Sequence, residues 1–460
     1  MIYVKILEWL IEILLMLSGF VGTGQFHCQF EPKLAEAVIS GTLRQEPAES
    51  VLPGDSSEEL HREEYIESVY EGWGSQVMTS VGKVRFPVFL IEFQDVKFED
   101  HMVSLEELER WIFTGEDSVA AYFAESSYGR LHMDGDIYRY TAKGNMADYE
   151  KDRSLENLIM EALRYYEDQV DFSQYDVDGN SVMDSLVVSI PSGGDEDFWW
   201  GSQHTWQWNS RFKIDDLFIV GYIVNDEQPY PYQKERFIAT LEHELGHCMG
   251  LPDYYKYDNA DDDWEGMHGI AGKERMDDSE GDFCQFSKLQ LGWLKKEQVQ
   301  VMSPDEDRAS FLLPPSSEGG CVVVFPRGEE PDFQKEYFVV EYNTPTGLMS
   351  DLFGRGGVRV MHVQAEVVKD GYYDYRYSNF SEEYDTSNEG IRVLKLVNDG
   401  RGYYHEGDLV TFEKTGGEQG NFGWYTQEGK IEDPGFLIRI GQVDENGCME
   451  IEVERYFLNP

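Results

Sequence analysis

Hydrophobic positions divide the chain into two parts that differ in predicted secondary structure. In the first part, a largely apolar run over Val84–Phe93 predicts a buried strand. Ser104 and Glu107 form a capping box that predicts a helix through Ile112. A helix is also predicted at Leu155–Leu163, and strands at Leu186–Val188 and Leu217–Val220. This alternation of helices and strands predicts an α/β or α+β fold.

After about residue 300 the pattern changes to short runs rich in β-branched and aromatic residues. These runs predict strands at Cys321–Phe325, Tyr337–Tyr342, Val358–Val363, Ile391–Val397, Leu409–Phe412 and Phe436–Ile440. Turn signals such as Asn446-Gly447 separate the runs, which is typical of an antiparallel sandwich or barrel. A chain of 460 residues also exceeds the usual size of one hydrophobic core, so two folded domains are expected, 81–300 and 301–460.

The charge balance narrows the classes of partner. The chain has 38 basic and 88 acidic side chains, which gives a formal net charge of −50 at pH 7. Such a field repels phosphate backbones and anionic membrane surfaces, so no nucleic-acid partner is expected. It attracts divalent cations instead.

The N-terminal region predicts export. An apolar stretch that begins at Ile13 resembles a secretory signal peptide, although Glu8 and Glu12 make it atypical. We therefore predict a signal peptide over residues 1–24, a linker or pro-segment over 25–80, and a protein that is secreted or held at the cell surface. An amphipathic helix and a wrongly assigned start are the alternatives. No later stretch has about 18 consecutive apolar residues, so no membrane span is predicted.

One predicted helix carries a metal-binding pattern. Prolines upstream and Gly250 downstream bracket about 18 residues from Tyr232. His243 and His247 lie one turn apart on this helix, so both imidazoles can reach one ion. Glu244 lies one step round the helix, within reach of a water on that ion. Gly250 allows a sharp turn that brings Asp253 back as a third ligand.

This ligand set predicts zinc. Zinc accepts imidazole and carboxylate in tetrahedral geometry, and three protein ligands leave a fourth position for water. Zinc lowers the pKa of a bound water to about 7, and Glu244 can accept the proton as the water attacks a carbonyl. The predicted reaction is hydrolysis without a covalent intermediate.

The segment from His243 to Asp253 resembles the motif of the immune inhibitor A family of metallopeptidases, a metzincin-like group with Asp in place of a third His. The resemblance extends to Val84–Asp95, Tyr122–Gly129 and Gly281–Trp293. It implies a metzincin-like catalytic domain over 81–300. The strand pattern predicts an all-β, sandwich-like C-terminal domain over 301–460. The resemblance also implies that Met276 forms the methionine turn beneath the zinc site; the alternative is an ordinary core methionine.

A second ion site is predicted from residues with oxygen-bearing side chains. Asp176, Asp178 and Asn180 stand on alternate residues, and Asp184 follows four residues later. Oxygen ligands on alternate residues can surround a hard cation, which predicts calcium. The spacing departs from that of an EF-hand, and a plain turn rich in Asp and Asn is the alternative.

Together these features predict a secreted zinc-dependent endopeptidase that acts on a protein or peptide substrate. Two other classes stay open. One is a surface binding or adhesion protein with a non-catalytic peptidase-like domain. The other is a metal hydrolase with a different target, because the motif specifies an activated water and not its substrate.

Overall fold

The computed structural model describes residues 77–99, 102–151, 155–192, 201–205, 212–225, 227–254, 274–277, 280–350, 356–368, 376–377, 393–397, 402–426 and 429–456. The predicted signal peptide and nearly all of the predicted linker or pro-segment lie outside these ranges.

The described residues form six α-helices and twenty strands. The helices are α1 Leu105–Glu109, α2 Val119–Ser126, α3 Met146–Lys151, α4 Leu155–Tyr166, α5 Lys234–Cys248 and α6 Gln285–Gln290. The first ten strands are β1 Gly82–Glu92, β2 Leu131–Thr141, β3 Val187–Ser189, β4 Ser202–Thr205, β5 Lys213–Ile214, β6 Leu217–Phe218, β7 Gly221–Asn225, β8 Val299–Met302, β9 Arg308–Leu313 and β10 Cys321–Val324. The others are β11 Glu336–Asn343, β12 Gly357–Gln364, β13 Val367–Val368, β14 Arg376–Tyr377, β15 Leu394–Leu396, β16 Leu409–Val410, β17 Trp424–Tyr425, β18 Ile431–Glu432, β19 Phe436–Val443 and β20 Met449–Arg455.

The first half of the fold is built on a five-stranded sheet in the order β2-β1-β3-β7-β4. Its strands are parallel except for β4, which runs antiparallel to β7 at the edge. Strand β1 is buried on both faces: Val88 and Leu90 enter one core, while Phe89 and Ile91 enter a second core with α4. Burial on both faces explains why apolar residues occupy every position from Val88 to Ile91. The mixed α/β prediction for this half is confirmed.

The second half contains two larger sheets, in the orders β15-β12-β11-β10-β8 and β16-β19-β20-β9. Alternate residues of β11 enter different cores, because Phe338 and Val340 face the sheet that contains β20, whereas Tyr337 and Val339 face the first half of the chain. The neighbouring strands of these two sheets are antiparallel, as predicted, except that β8 runs parallel to β10.

Helices α2, α5 and α6 lie between the two halves. One hydrophobic cluster joins Leu241 of α5 and Phe286 of α6 to Val323 of β10. The two halves therefore share a hydrophobic core, and the β-rich half supports the layer of helices that contains the metal-binding motif.

Two predicted elements differ in detail from the structure. The helix after Ser104 exists, with the Ser104 hydroxyl accepting from Glu107 N–H, but it continues from Arg110 as a π-helical turn. The strand predicted at Leu217–Val220 was wrong in its extent. Only β6 forms there, in a hairpin with β5, and the strand of the main sheet is β7. The hairpin ends at Phe218, and Ile219 and Val220 connect β6 to β7.

No helix in the described ranges combines the length and apolar character needed to cross a bilayer. The four cysteines within those ranges are free thiols: Cys248, Cys284, Cys321 and Cys448.

Candidate metal centre

Helix α5 presents the predicted motif on a fixed face. Phe237, Leu241 and Leu245 are buried in the core shared by the two halves, which sets the rotation of the helix. The helix ends at Cys248, and Gly250 adopts a positive φ of 99°. Its left-handed conformation reverses the chain, and Leu251 N–H donates back to the carbonyl of Gly246 at 3.1 Å. This reversal carries Asp253 onto the face that holds the histidines.

The three predicted ligands converge. The Asp253 Oδ1 atom lies 2.9 Å from His243 Nε2 and 3.3 Å from His247 Nε2. Among the described residues, these three form the one group of at least three His, Cys, Asp or Glu side chains whose ligand atoms all lie within 4.8 Å of each other. The structure therefore brings together the three residues that the sequence predicts as zinc ligands.

Backbone carbonyls fix the orientation of both imidazoles. His243 Nδ1 lies 2.7 Å from the carbonyl oxygen of Arg275, and His247 Nδ1 lies 2.7 Å from that of Leu251. A carbonyl only accepts, so each Nδ1 carries the donated proton and each Nε2 of a neutral ring has a lone pair directed at Asp253. Two imidazole nitrogens and a carboxylate oxygen at this spacing fit a zinc ion.

The electrostatics of the site favour a positive charge between the ligands. Burial alone would lower the pKa of His247, but the Asp253 carboxylate outweighs it and raises the pKa to about 9. The pKa of His243 is also raised, for the same reason. Burial would raise the pKa of Asp253, and the two histidines instead bring it well below its usual value. A divalent cation between the ligands would be stabilised by the same negative charge on Asp253.

Glu244 lies beside the ligands without belonging to the ligand group. Its side chain is buried on α5, with 7% of the residue exposed. Its charge contributes to the raised pKa of both histidines. A carboxylate in this position can exchange a proton with a water bound at the centre.

Met276 packs beneath the metal-binding helix, next to Gly246. It is fully buried, and its carbonyl accepts from Tyr254 N–H at 2.9 Å. The carboxylate of Glu274, two residues earlier, accepts a hydrogen bond from Met276 N–H and another, at 3.1 Å, from Cys284 N–H. The turn over residues 274–277 therefore supports α5 from below, at the position that the resemblance implies for Met276.

A buried ion pair beside the centre was missed by the sequence analysis. Arg275 Nη2 lies 3.0 Å from the Glu242 carboxylate, and both side chains are less than a tenth exposed. Arg275 also donates to the Tyr122 hydroxyl at 3.1 Å and to the Gly281 carbonyl at 2.7 Å. Burial raises the pKa of Glu242 to about 7, although Arg275 opposes this shift. No local sequence pattern pairs residues this far apart; the one available signal is an acidic residue on the buried side of α5.

The predicted calcium loop lies elsewhere and is closed by its own hydrogen bonds. The backbone N–H of Asn180 donates to Asp176 at 2.8 Å and to Asp178 at 3.1 Å. Asp184 accepts from Arg85 N–H at 2.8 Å. The carboxylates of Asp176, Asp178 and Asp184 do not form a close ligand group as the histidines and Asp253 do. Calcium binding by this loop stays a prediction.

Comparison with known proteins adds no assignment, because no protein-family model matches the chain and no curated protein matches it either.

Proposed function

We propose that this chain is a zinc-dependent endopeptidase, with His243, His247 and Asp253 as ligands and Glu244 as the general base. The observation that carries the proposal is the convergence of two oriented imidazole nitrogens and one carboxylate oxygen, with Glu244 adjacent. Three protein ligands are typical of catalytic zinc, whereas structural zinc sites usually have four.

In the proposed mechanism, a zinc ion held by His243, His247 and Asp253 would supply Lewis acidity to the substrate carbonyl and would lower the pKa of a water. Glu244 removes a proton from that water as its oxygen attacks the carbonyl carbon. The protonated Glu244 then delivers the proton to the leaving amine as the carbon–nitrogen bond breaks. Burial of Glu244 excludes bulk water from this transfer. The fold supports the resemblance to a metzincin-like catalytic domain to the extent that it has a mixed sheet backed by the motif-bearing helix.

Strand β4 supports a peptide as the substrate. It is the edge strand of the first sheet as the described residues form it, and α5 packs against both β4 and β7. An edge strand can pair with an extended peptide through main-chain hydrogen bonds. A peptide bound along β4 would therefore run beside the metal-binding helix.

Cleavage of unfolded casein tests the proposal. The purified protein is incubated with casein as prepared, after removal of metal by a chelator, and after zinc is returned to the chelated sample. We expect cleavage that is lost with the chelator and restored by zinc. Absence of cleavage by the zinc-loaded protein would contradict the proposal and favour one of the two other classes, a surface binding protein with an inert peptidase-like domain or a metal hydrolase with a different target.

A further inference from the structure

We infer that Glu242 and Arg275 are positioning residues for the metal centre, which hold the carbonyl that orients His243. This inference rests on the proposed zinc site. Neither residue touches substrate or metal in this scheme. Their effect passes through the hydrogen bond between His243 Nδ1 and the Arg275 carbonyl.

Arg275 contacts α5 at two adjacent residues in two different ways. Its side chain pairs with Glu242 at 3.0 Å, and its backbone carbonyl accepts from His243 at 2.7 Å. Because Glu242 and His243 are neighbours on one rigid helix, these two contacts together fix the position of the Arg275 backbone relative to α5. A shift of the Arg275 backbone would move the acceptor away from the imidazole.

The guanidinium group is anchored on three separate segments. Besides Glu242 on α5, it donates to Tyr122 on α2 and to the carbonyl of Gly281, and it also stacks over the Tyr122 ring. A planar guanidinium can satisfy these directions together, whereas the ammonium group of lysine acts as a single point charge. The pair is buried, so removal of one partner leaves a costly charge in the interior and drives local rearrangement.

Groups that hydrogen-bond to the ligands of a metal ion strongly influence the affinity of the site for that ion. Loss of a group that hydrogen-bonds a ligating histidine typically weakens metal binding by about 10- to 100-fold. We expect an effect of this size when the Arg275 carbonyl is displaced, since His243 would lose its fixed orientation.

The test compares two isosteric variants of buried ion pairs. Glu242→Gln removes the charge that pairs with Arg275, and Glu341→Gln does the same to Arg359, which pairs with Glu341 at 2.5 Å in the β-rich half. Both arginines and both glutamates are buried. Glu341 also accepts from Gln285 N–H and from the Asn343 amide, each at 2.7 Å, so Glu341→Gln should lower the melting temperature of the metal-free protein at least as much as Glu242→Gln. Zinc affinity is measured by competition with a chelator, well below both melting temperatures.

We expect Glu242→Gln to weaken zinc binding by about 10- to 100-fold, and Glu341→Gln to leave it within about threefold of the wild type. Wild-type affinity in Glu242→Gln, or an equal loss in Glu341→Gln, would overturn the positioning role while leaving the proposed function intact. A wild-type protein that binds no zinc would overturn both.

Arg275→Lys provides a second variant in case Glu242→Gln does not fold. It keeps a positive charge for Glu242 but cannot reach Tyr122 and Gly281 together. We expect weaker zinc binding than in the wild type. We also expect an altered visible spectrum when cobalt replaces zinc, because that spectrum responds to the geometry of the ligands. Unchanged affinity and spectrum in Arg275→Lys would contradict the inference.

Discussion

The sulfur of Met276 lies so close to Gly246 that a β-carbon at residue 246 would be 2.5 Å from it. Gly246 stands between the two histidine ligands on α5, where a side chain would also meet Phe283. The close approach of helix and turn therefore requires glycine at this position for reasons of space, since Gly246 has ordinary helical geometry.

Gly246→Ala should lower stability by about 1–3 kcal/mol through overpacking, and it should weaken zinc binding by moving α5 away from the turn. Thermal unfolding and chelator competition measure the two effects. Met276→Ala opens space beneath the helix, so the double variant should lose less stability than the sum of the single variants. Additive losses would mean that the two residues do not press on each other in solution.

The metal-binding helix could be predicted from sequence because its chemistry is local. His243, Glu244 and His247 are related by helical spacing alone, and Gly250 marks the reversal that returns Asp253. The partners of these ligands could not be predicted in this way. Arg275 reaches His243 across 32 residues of chain, through a backbone carbonyl that carries no side-chain signature.

Strand β20 illustrates another limit of the sequence pattern. Its residues Met449, Ile451 and Val453 are buried, while glutamates occupy the alternate positions. Strict alternation of this kind is typical of a half-buried strand, but the strands predicted from the sequence follow continuous apolar runs and do not include β20. The shared core between the two halves was also not predictable. The apolar runs of β10 and β11 indicate that both faces of these strands are buried, but they do not indicate which elements cover each face.

Calcium should stabilise the protein if the Asp176–Asp184 loop binds it, because a ligand bound by the folded state raises the melting temperature with its concentration. Asp178→Asn keeps an acceptor for Asn180 N–H but removes the charge, so it should abolish most of the calcium-dependent shift. Asp444→Asn is the matched control, since Asp444 accepts from Asn446 N–H in a similar turn. An equal calcium response in wild type and Asp178→Asn would identify the loop as a plain turn.

His362 should make the β-rich half sensitive to acid. Its side chain is fully buried. The imidazole stacks between Phe338 and Tyr425, with ring centroids 4.8 and 4.4 Å away, and its Nε2 atom lies 2.7 Å from Glu336 Oε1. Burial lowers the pKa of His362, although Glu336 opposes the shift. The unfolded state therefore binds the proton more tightly than the folded state. The stability contributed by the neutral imidazole is complete above about pH 6.5 and decreases as the pH falls towards the lowered pKa, by at most about 1.4 kcal/mol per pH unit.

Denaturant unfolding between pH 8 and pH 5 measures this dependence. His362→Gln should be less stable than the wild type at pH 8 and should lose less stability on acidification. His132→Gln, at an exposed position of β2, is the control and should follow the wild type. If His362→Gln and the wild type have the same slope against pH, another group accounts for the acid sensitivity.

Zinc analysis of two carboxylate variants tests the central claim most directly, because the mechanism gives Glu244 and Asp253 different tasks at one centre. After identical dialysis, Glu244→Ala should retain about one zinc per chain, as in the wild type, and lose about 10²- to 10⁴-fold in the rate of casein cleavage. Asp253→Ala removes a charged ligand, so both its zinc content and its activity should fall. Full zinc content in Asp253→Ala, or wild-type activity in Glu244→Ala, would contradict the account.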